Sequence, residues 1–130
     1  MHFLRPYTPQ IRSILRIMSG LLILQHGTTK YLSLPPSPMS NISPMTMGGA
    51  AGILELIGGV LLVIGLFTRP AAFILSGMTA VAYFYAHAGR GFFPILNGGE
   101  LAVLYCFVFL YLAAAGGGPW SVDAARGDRE

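Results

Sequence analysis

Apolar residues fall into four long runs, separated by stretches rich in proline, glycine, serine and charge. A helix needs about 20 mainly apolar residues to cross a bilayer. The first run, 11–27, is interrupted by Arg16, and the second, 48–67, has Glu55 as its only charge. The third covers 71–88 and the fourth 97–115. Positions 28–47 carry Pro35, Pro36, Pro38, Pro44 and several serines, a density that prevents a helix and predicts an irregular external loop. Thr68-Arg69-Pro70 is a tight break, because proline disfavours helical geometry in the residue before it. So short a link makes the second and third runs an antiparallel hairpin. Gly89, Gly91 and Pro94 separate the third run from the fourth, and Gly116-Gly117-Gly118-Pro119 ends the fourth. Phe92, Phe93 and Trp120 stand where interfacial aromatics are expected. A signal peptide is the rival reading of the first run. No A-x-A-like site follows Leu24, so cleavage is not expected. The pattern predicts an all-α integral membrane four-helix bundle, one domain over 1–130, with a polar tail from 116 to 130.

Composition agrees with this. Hydrophobic residues make up 54% of the chain and charged residues 10%, against about 25% charged in an ordinary soluble domain. Mean hydropathy is +0.64. The net charge of +3 comes from eight scattered Arg and Lys residues with no basic cluster, which gives no support to nucleic-acid binding. Their placement sets orientation. With the N-terminus inside, Arg5, Arg12, Arg69, Arg126 and Arg129 are cytoplasmic, whereas Lys30 and Arg90 are outside, which favours N-in and C-in in a bacterial cytoplasmic membrane. The single cysteine, Cys106, excludes an intrachain disulfide and a CxxC pair. It reads as a packing or lipid-facing residue, so any redox role needs a bound cofactor or a partner protein.

This topology places the polar residues in depth. A helix rises about 1.5 Å per residue, which puts Glu55 roughly 10 Å below the outer boundary, His87 roughly 24 Å up from the inner side, and Glu100 within about 5 Å of the outer side. His26 ends the first run at the same level. Two histidines and two glutamates, one from each helix, thus share the outer half, with Lys30, Arg90 and Asn97 close above. Around Glu55 the stripe is Gly48, Ala51, Gly52, Gly58 and Gly59. Small residues let helices approach, so Glu55 is expected to face the interior, and the GxxxG at Gly48 and Gly52 is expected to pack against a helix of the same chain. His87 lies on a stripe with Tyr83, Ala80, Ser76 and Ala72. Glu100 is expected to face inward as well, because an ionised carboxylate against lipid is costly. Arg16 lies in the inner half. It either snorkels or pairs with Asp123, and the pair is preferred as a lock between the first and last elements.

These residues also form an ordered set of motifs. R-x3-G and HG-x2-K run from Arg16 to Lys30, and E-x2-GG-x2-L-x2-G-x2-TRPAA runs from Glu55 to Ala72. H-x3-GFFP-x2-NGGEL follows from His87 to Leu101, then G-P-W-S-x-D from Gly118 to Asp123. The set, covering roughly 12–123, resembles the DoxX family of small four-helix bacterial and archaeal membrane proteins. The resemblance implies a membrane and redox business there, often with a partner. The family name derives from a subunit associated with a quinol-oxidising or thiosulfate–quinone system, and other relatives are linked to oxidative and thiol stress.

Three readings of the polar cluster stand beside one another. One is a pocket for a quinone or similar lipophilic aromatic. A histidine would donate to a carbonyl and a carboxylate would relay protons, with His26, Glu55, His87, Glu100, Tyr83, Lys30, Arg90 and Asn97 around it and Phe84 and Tyr85 as aromatic walls. Another is an assembly subunit of a membrane oxidoreductase, in which Glu55 pairs with His87 or His26, and Glu100 with Lys30 or Arg90, as interhelical glue. The least favoured is a mononuclear metal site of His26, Glu55, His87 and Glu100. Expected partners are membrane lipid, a quinone, redox partner proteins and further copies of the chain.

Overall fold

A computed structural model describes residues 1–127; Arg129, expected on the cytoplasmic side, and the end of the expected tail lie outside the described residues. After a 3-10 turn at Arg5–Tyr7, the described chain forms α1 (Thr8–Leu32), α2 (Met47–Ile64) and α3 (Thr68–Ala82). α4 (Pro94–Asn97), α5 (Glu100–Ala115) and α6 (Val122–Ala125) follow. No strand occurs among the described residues. α3 is prolonged by a π-helical turn over Tyr83–His87, in which the Ala88 amide reaches back five residues to the Tyr83 carbonyl, and by a 3-10 turn over Ala88–Arg90.

Helix boundaries follow local chemistry. α1 outlasts the expected run at both ends: Pro9 is tolerated in its first turn, and the next proline is Pro35. It stops at Ser33, whose left-handed φ of 52° turns its amide back to the Thr28 carbonyl. Thr46 caps α2 by accepting from the Gly49 amide at 3.0 Å. Gly65, at φ 74°, ends α2, and the Gly65 and Leu66 amides both return to Leu61. The break expected at residues 68–70 therefore lies slightly earlier, and Thr68, Arg69 and Pro70 form the first turn of α3, where proline is tolerated.

α1 packs along α2, α2 meets α3, and α3 lies along α5. α2 is the hinge of this arrangement because it has two glycine faces. A Cβ on Gly59 would lie 2.8 Å from Leu24 Cβ of α1, and one on Gly58 would lie 2.9 Å from the Leu75 side chain of α3. Bare backbone at these positions is what allows the helices to touch. Gly52 of the GxxxG pair likewise faces Lys30 and Tyr31 of α1, whereas Gly48 faces Ile42 of the preceding loop. Both contacts are within the chain. The core is Ile23, Leu62, Ala71, Ala72, Leu75, Tyr105, Phe109 and Leu112.

The polarity of the molecule is turned outward-in. Arg16, Lys30, Glu55, Ser76, Thr79, Asn97 and Asp123 are buried. The surface of α2 shows Ile53, Ile57, Val60 and Ile64, that of α3 shows Phe73, Ile74 and Val81, and that of α5 shows Leu104, Phe107, Leu110 and Tyr111. Apolar area on this scale marks contact with lipid or protein rather than water. Two helices, Met47–Ile64 and the continuous stretch Thr68–Arg90, are long and apolar enough to cross a membrane. α1 is longer but carries more charge, and α5 is apolar but only 16 residues long.

At one end of the helices the chain is locked through backbone groups. The fully buried Arg16 donates from Nε to the Leu62 carbonyl at 2.8 Å and from Nη2 to the Trp120 carbonyl at 2.6 Å. Its Nη1 donates to the Gly117 carbonyl. Asp123 accepts from the amides of Phe67 and Thr68 at 2.8 and 2.9 Å, so the tail supplies the carboxylate that caps α3. Arg16 and Asp123, expected as a direct pair, instead hold backbone carbonyls and backbone amides respectively. Burial pushes the Asp123 carboxyl up. The amides of Thr68 and Phe67 and the Arg126 charge outweigh this and hold it below its ordinary range.

Candidate functional site

At the opposite end the helices part around a cavity of about 660 Å³. Its walls are apolar, with Ile23 from α1, Leu54 from α2, Ile74 and Met78 from α3 and Leu101 from α5. The loop between α1 and α2 adds Met39 and Ile42. Several wall residues, including Leu54, Ile74, Val81 and Leu101, are also exposed on the outer surface, so the mouth is apolar.

The polar groups of the cavity come from different helices. Lys30 and Glu55 form a buried ion pair, with Lys30 Nζ 2.8 Å from Glu55 Oε1 and both side chains less than a tenth exposed. α1 brings Lys30 there because it continues to Leu32, which sets Lys30 one turn beyond His26 and on the same face. The approach of the two helices at Gly52 and Gly27 closes the gap between them. A Cβ on Gly27 would meet the Gly52 carbonyl at 2.9 Å. Glu55 is therefore held by Lys30, where a histidine partner was expected.

Both expected histidines line the cavity. His26 Nδ1 lies 3.0 Å from the Leu22 carbonyl, and His87 Nδ1 lies 3.1 Å from the Asn97 carbonyl. A carbonyl only accepts, so Nδ1 carries the proton in each ring and Nε2 holds the lone pair when the ring is neutral. His87 belongs to the π-helical turn, a distortion that often marks functional positions.

The remaining expected residues take other places. Asn97 is buried but works as a fastener: its Nδ2 donates to Tyr83 Oη at 2.9 Å and to the Gly91 carbonyl at 3.0 Å, while its Oδ1 accepts from the Gly99 amide at 2.8 Å. Asn97 and Tyr83 thereby hold the turn that carries His87. Arg90 and Glu100 are exposed and do not line the cavity. Glu100 had been expected to face inward. It sits instead in the first turn of α5, where the helix N-terminus favours a negative charge without any partner. Among the described residues no three His, Cys, Asp or Glu side chains come together as metal ligands, so His26, Glu55, His87 and Glu100 are not assembled into a coordination sphere. Of the expected aromatic walls, Tyr85 lines the cavity and Phe84 points to the exterior.

Two lining residues escaped the sequence. Thr79 is buried, and its hydroxyl is turned back to the Leu75 and Ser76 carbonyls. Tyr105 is 5% exposed, stacks on Phe109 at 5.4 Å and meets His26 edge-on at 6.0 Å, yet its buried hydroxyl has no hydrogen-bond partner.

An all-helical chain with polar residues inside, apolar residues outside and two helices of membrane-crossing length belongs to the class of membrane proteins. The comparisons narrow this. Residues 11–88 match the DoxX family model, and the chain belongs to that family. It is 45% identical to an uncharacterised protein of Haemophilus influenzae over 95% of its own length and 96% of that protein's. A second uncharacterised protein of the same organism is 36% identical over 53% of the chain and 46% of its own length. No solved structure matches.

Proposed function

We propose that this DoxX protein binds a quinone or a similar lipophilic small molecule in the cavity between its helices. The observation that carries the reading is the cavity's composition: apolar walls with Lys30, Glu55, His26, His87 and Tyr105 among them. Ligand sites of this kind are mostly apolar, with a few convergent polar groups that fix orientation. Proton-accepting imidazole nitrogens beside a carboxylate suit a molecule whose oxygens gain and lose protons.

In this reading the protein crosses the bacterial cytoplasmic membrane four times with both termini inside, as the Arg and Lys placement favours. α1, α2, the Thr68–Arg90 stretch and α5 form the bundle. The redox association belongs to the same proposal, with electrons exchanged through a partner protein, since the lone Cys106 offers no dithiol. Reporter fusions at each terminus test the topology. The binding test is protection of the purified protein against heat by quinones, with the protection lost in Glu55→Gln and in His87→Ala. Quinones that leave the unfolding temperature of the wild-type protein unchanged refute the reading.

A second reading is favoured by the Lys30–Glu55 pair itself. Glu55 is already matched across α1 and α2, as interhelical glue would be. On that view the protein is an assembly subunit. It would co-purify with membrane oxidoreductase subunits from mild detergent and show no quinone protection.

A further inference from the structure

The Tyr105 hydroxyl is the polar group of the cavity that packing does not explain. Its ring has two reasons to be where it is, the stack on Phe109 and the edge contact with His26. A phenylalanine would satisfy both. The hydroxyl adds a buried donor without an acceptor, a rare condition in native proteins that asks for an explanation. No neighbouring group in the cavity is hydrogen-bonded to it, and the neighbouring donors are spent elsewhere: Lys30 donates to Glu55, Thr79 to its own helix, and each histidine through Nδ1 to a carbonyl. Among these described polar groups, a donor awaiting an acceptor is found at Tyr105.

We infer that the Tyr105 hydroxyl is the head-group anchor of the cavity, donating a hydrogen bond to the carbonyl oxygen of an uncharged lipophilic molecule whose tail leaves past Leu54 and Ile74 toward the membrane. Lack of charge in the ligand follows from the ion pair, in which the Lys30 ammonium and the Glu55 carboxylate cancel and leave no surplus charge for an ionic head. The tail direction follows from the mouth, where Leu54, Ile74 and Val81 line the cavity and are exposed on the outer surface as well. A quinone carbonyl and the ester carbonyl of a neutral glycerolipid share this chemistry. The inference rests on the proposed ligand-binding reading and assigns that ligand its anchoring group.

The test uses the full chain in detergent and three probes: a prenylated 1,4-naphthoquinone, the corresponding prenylated naphthalene without carbonyls, and a short-chain diacylglycerol. Dissociation constants are measured for wild type, Tyr105→Phe and Gly77→Leu. Gly77 lines the cavity and a Cβ added there meets nothing within 4 Å, so a leucine variant takes up part of that space. The expected result is about a tenfold loss of affinity in Tyr105→Phe for a carbonyl probe, the scale of one hydrogen bond to a buried partner. The naphthalene keeps its affinity in that variant, and Gly77→Leu weakens the binding of every probe. The probe that shows the Tyr105 dependence, naphthoquinone or diacylglycerol, names the source of the carbonyl. Unliganded Tyr105→Phe is expected to unfold at the wild-type temperature or above, since it removes an unpaired hydroxyl. Unchanged carbonyl affinity in Tyr105→Phe overturns the anchor, as does a lower unfolding temperature of that unliganded variant, which would reveal a partner for the hydroxyl within the protein. Binding left unweakened by Gly77→Leu removes the cavity reading itself, and absence of binding by both carbonyl probes overturns both readings.

Discussion

Arg16 and Glu55 are both buried charges in an apolar molecule, and they are stabilised in opposite ways. Arg16 is held by backbone: its guanidinium gathers the carbonyls of Leu62, Gly117 and Trp120, which joins the end of α2 to the segment after α5. Glu55 has a side chain for a partner, Lys30, and the two stand at the edge of a cavity. Carbonyls cannot be moved or titrated, so the Arg16 end is a fixed clasp. A side-chain pair beside open space can be rearranged, exchanged for a ligand, or replaced. The difference teaches which end of a polar-cored membrane protein is framework and which is available for chemistry.

The largest effect should come from breaking the clasp. Arg16→Met takes the guanidinium from the Leu62 and Trp120 carbonyls and leaves Gly117 with only the Ser13 hydroxyl, and no apolar substitution elsewhere can remove a carbonyl. Each bond to a charged donor contributes about 1.5–3 kcal/mol, and the set is not additive, so a loss of about 4 kcal/mol is expected. Chemical unfolding in detergent measures it. Second-site apolar replacements in this region should give no rescue.

Glu55→Leu should cost about 3 kcal/mol, because it leaves the Lys30 ammonium buried and unpaired. Here rescue is expected. Lys30→Met with Glu55→Leu removes both charges and should return the double variant to within about 1 kcal/mol of wild type, as apolar replacement of a buried ion pair often does. A double variant no more stable than the single one would place Glu55 in the same class as Arg16 and erase the distinction between the two ends.

The sequence carried these two ends unequally. Glycine stripes around Glu55 announced its inward face, and Gly27, Gly52 and Gly59 are where α1 and α2 touch. Lys30 was read as a member of the site, but above the helices and without its Glu55 partner, because the prolines after it suggested an early end to α1, although a chain is free to stay helical until the residue before the first proline. α5 was illegible for a different reason. A helix that is apolar on every side gives no direction, so Glu100 was taken to mark the inner face, whereas the buried stripe is Tyr105, Phe109 and Leu112. Tyr105, on that stripe, was not singled out in the sequence. The three carbonyls around Arg16 could not be read at all, since backbone acceptors leave no trace in residue identity.

Acidification separates the ends by a smaller amount. The Asp123 carboxyl is held below its ordinary value of 3.8 in the folded protein. A carboxyl with a depressed folded value adds stability that is present in full above the unfolded value and is lost as pH falls through the folded one. Wild type should therefore weaken below about pH 4. Asp123→Asn, which cannot satisfy the Phe67 and Thr68 amides with two carboxylate oxygens, should be less stable than wild type by about 1–2 kcal/mol at pH 7. The gap between the two should narrow on acidification. Parallel stability curves for wild type and Asp123→Asn down to pH 3 would refute the assignment.

The smallest effect should appear where the helices have room. Gly77 is a helical glycine of α3 that lines the cavity, and a Cβ added to it meets nothing within 4 Å. Gly59 is its counterpart on α2, with Leu24 at 2.8 Å. In a helix interior, alanine is favoured over glycine by about 0.5–1 kcal/mol through the entropy of the unfolded chain. Gly77→Ala should therefore gain about that much, since no packing penalty opposes it. Gly59→Ala should lose stability, because α1 must retreat to admit the methyl group. Opposite signs for the same substitution on two neighbouring helices would show that α2 is tightened against α1 by its missing side chains, while the face of α3 at the cavity is left open. Equal signs would mean that the space beside Gly77 is closed in solution.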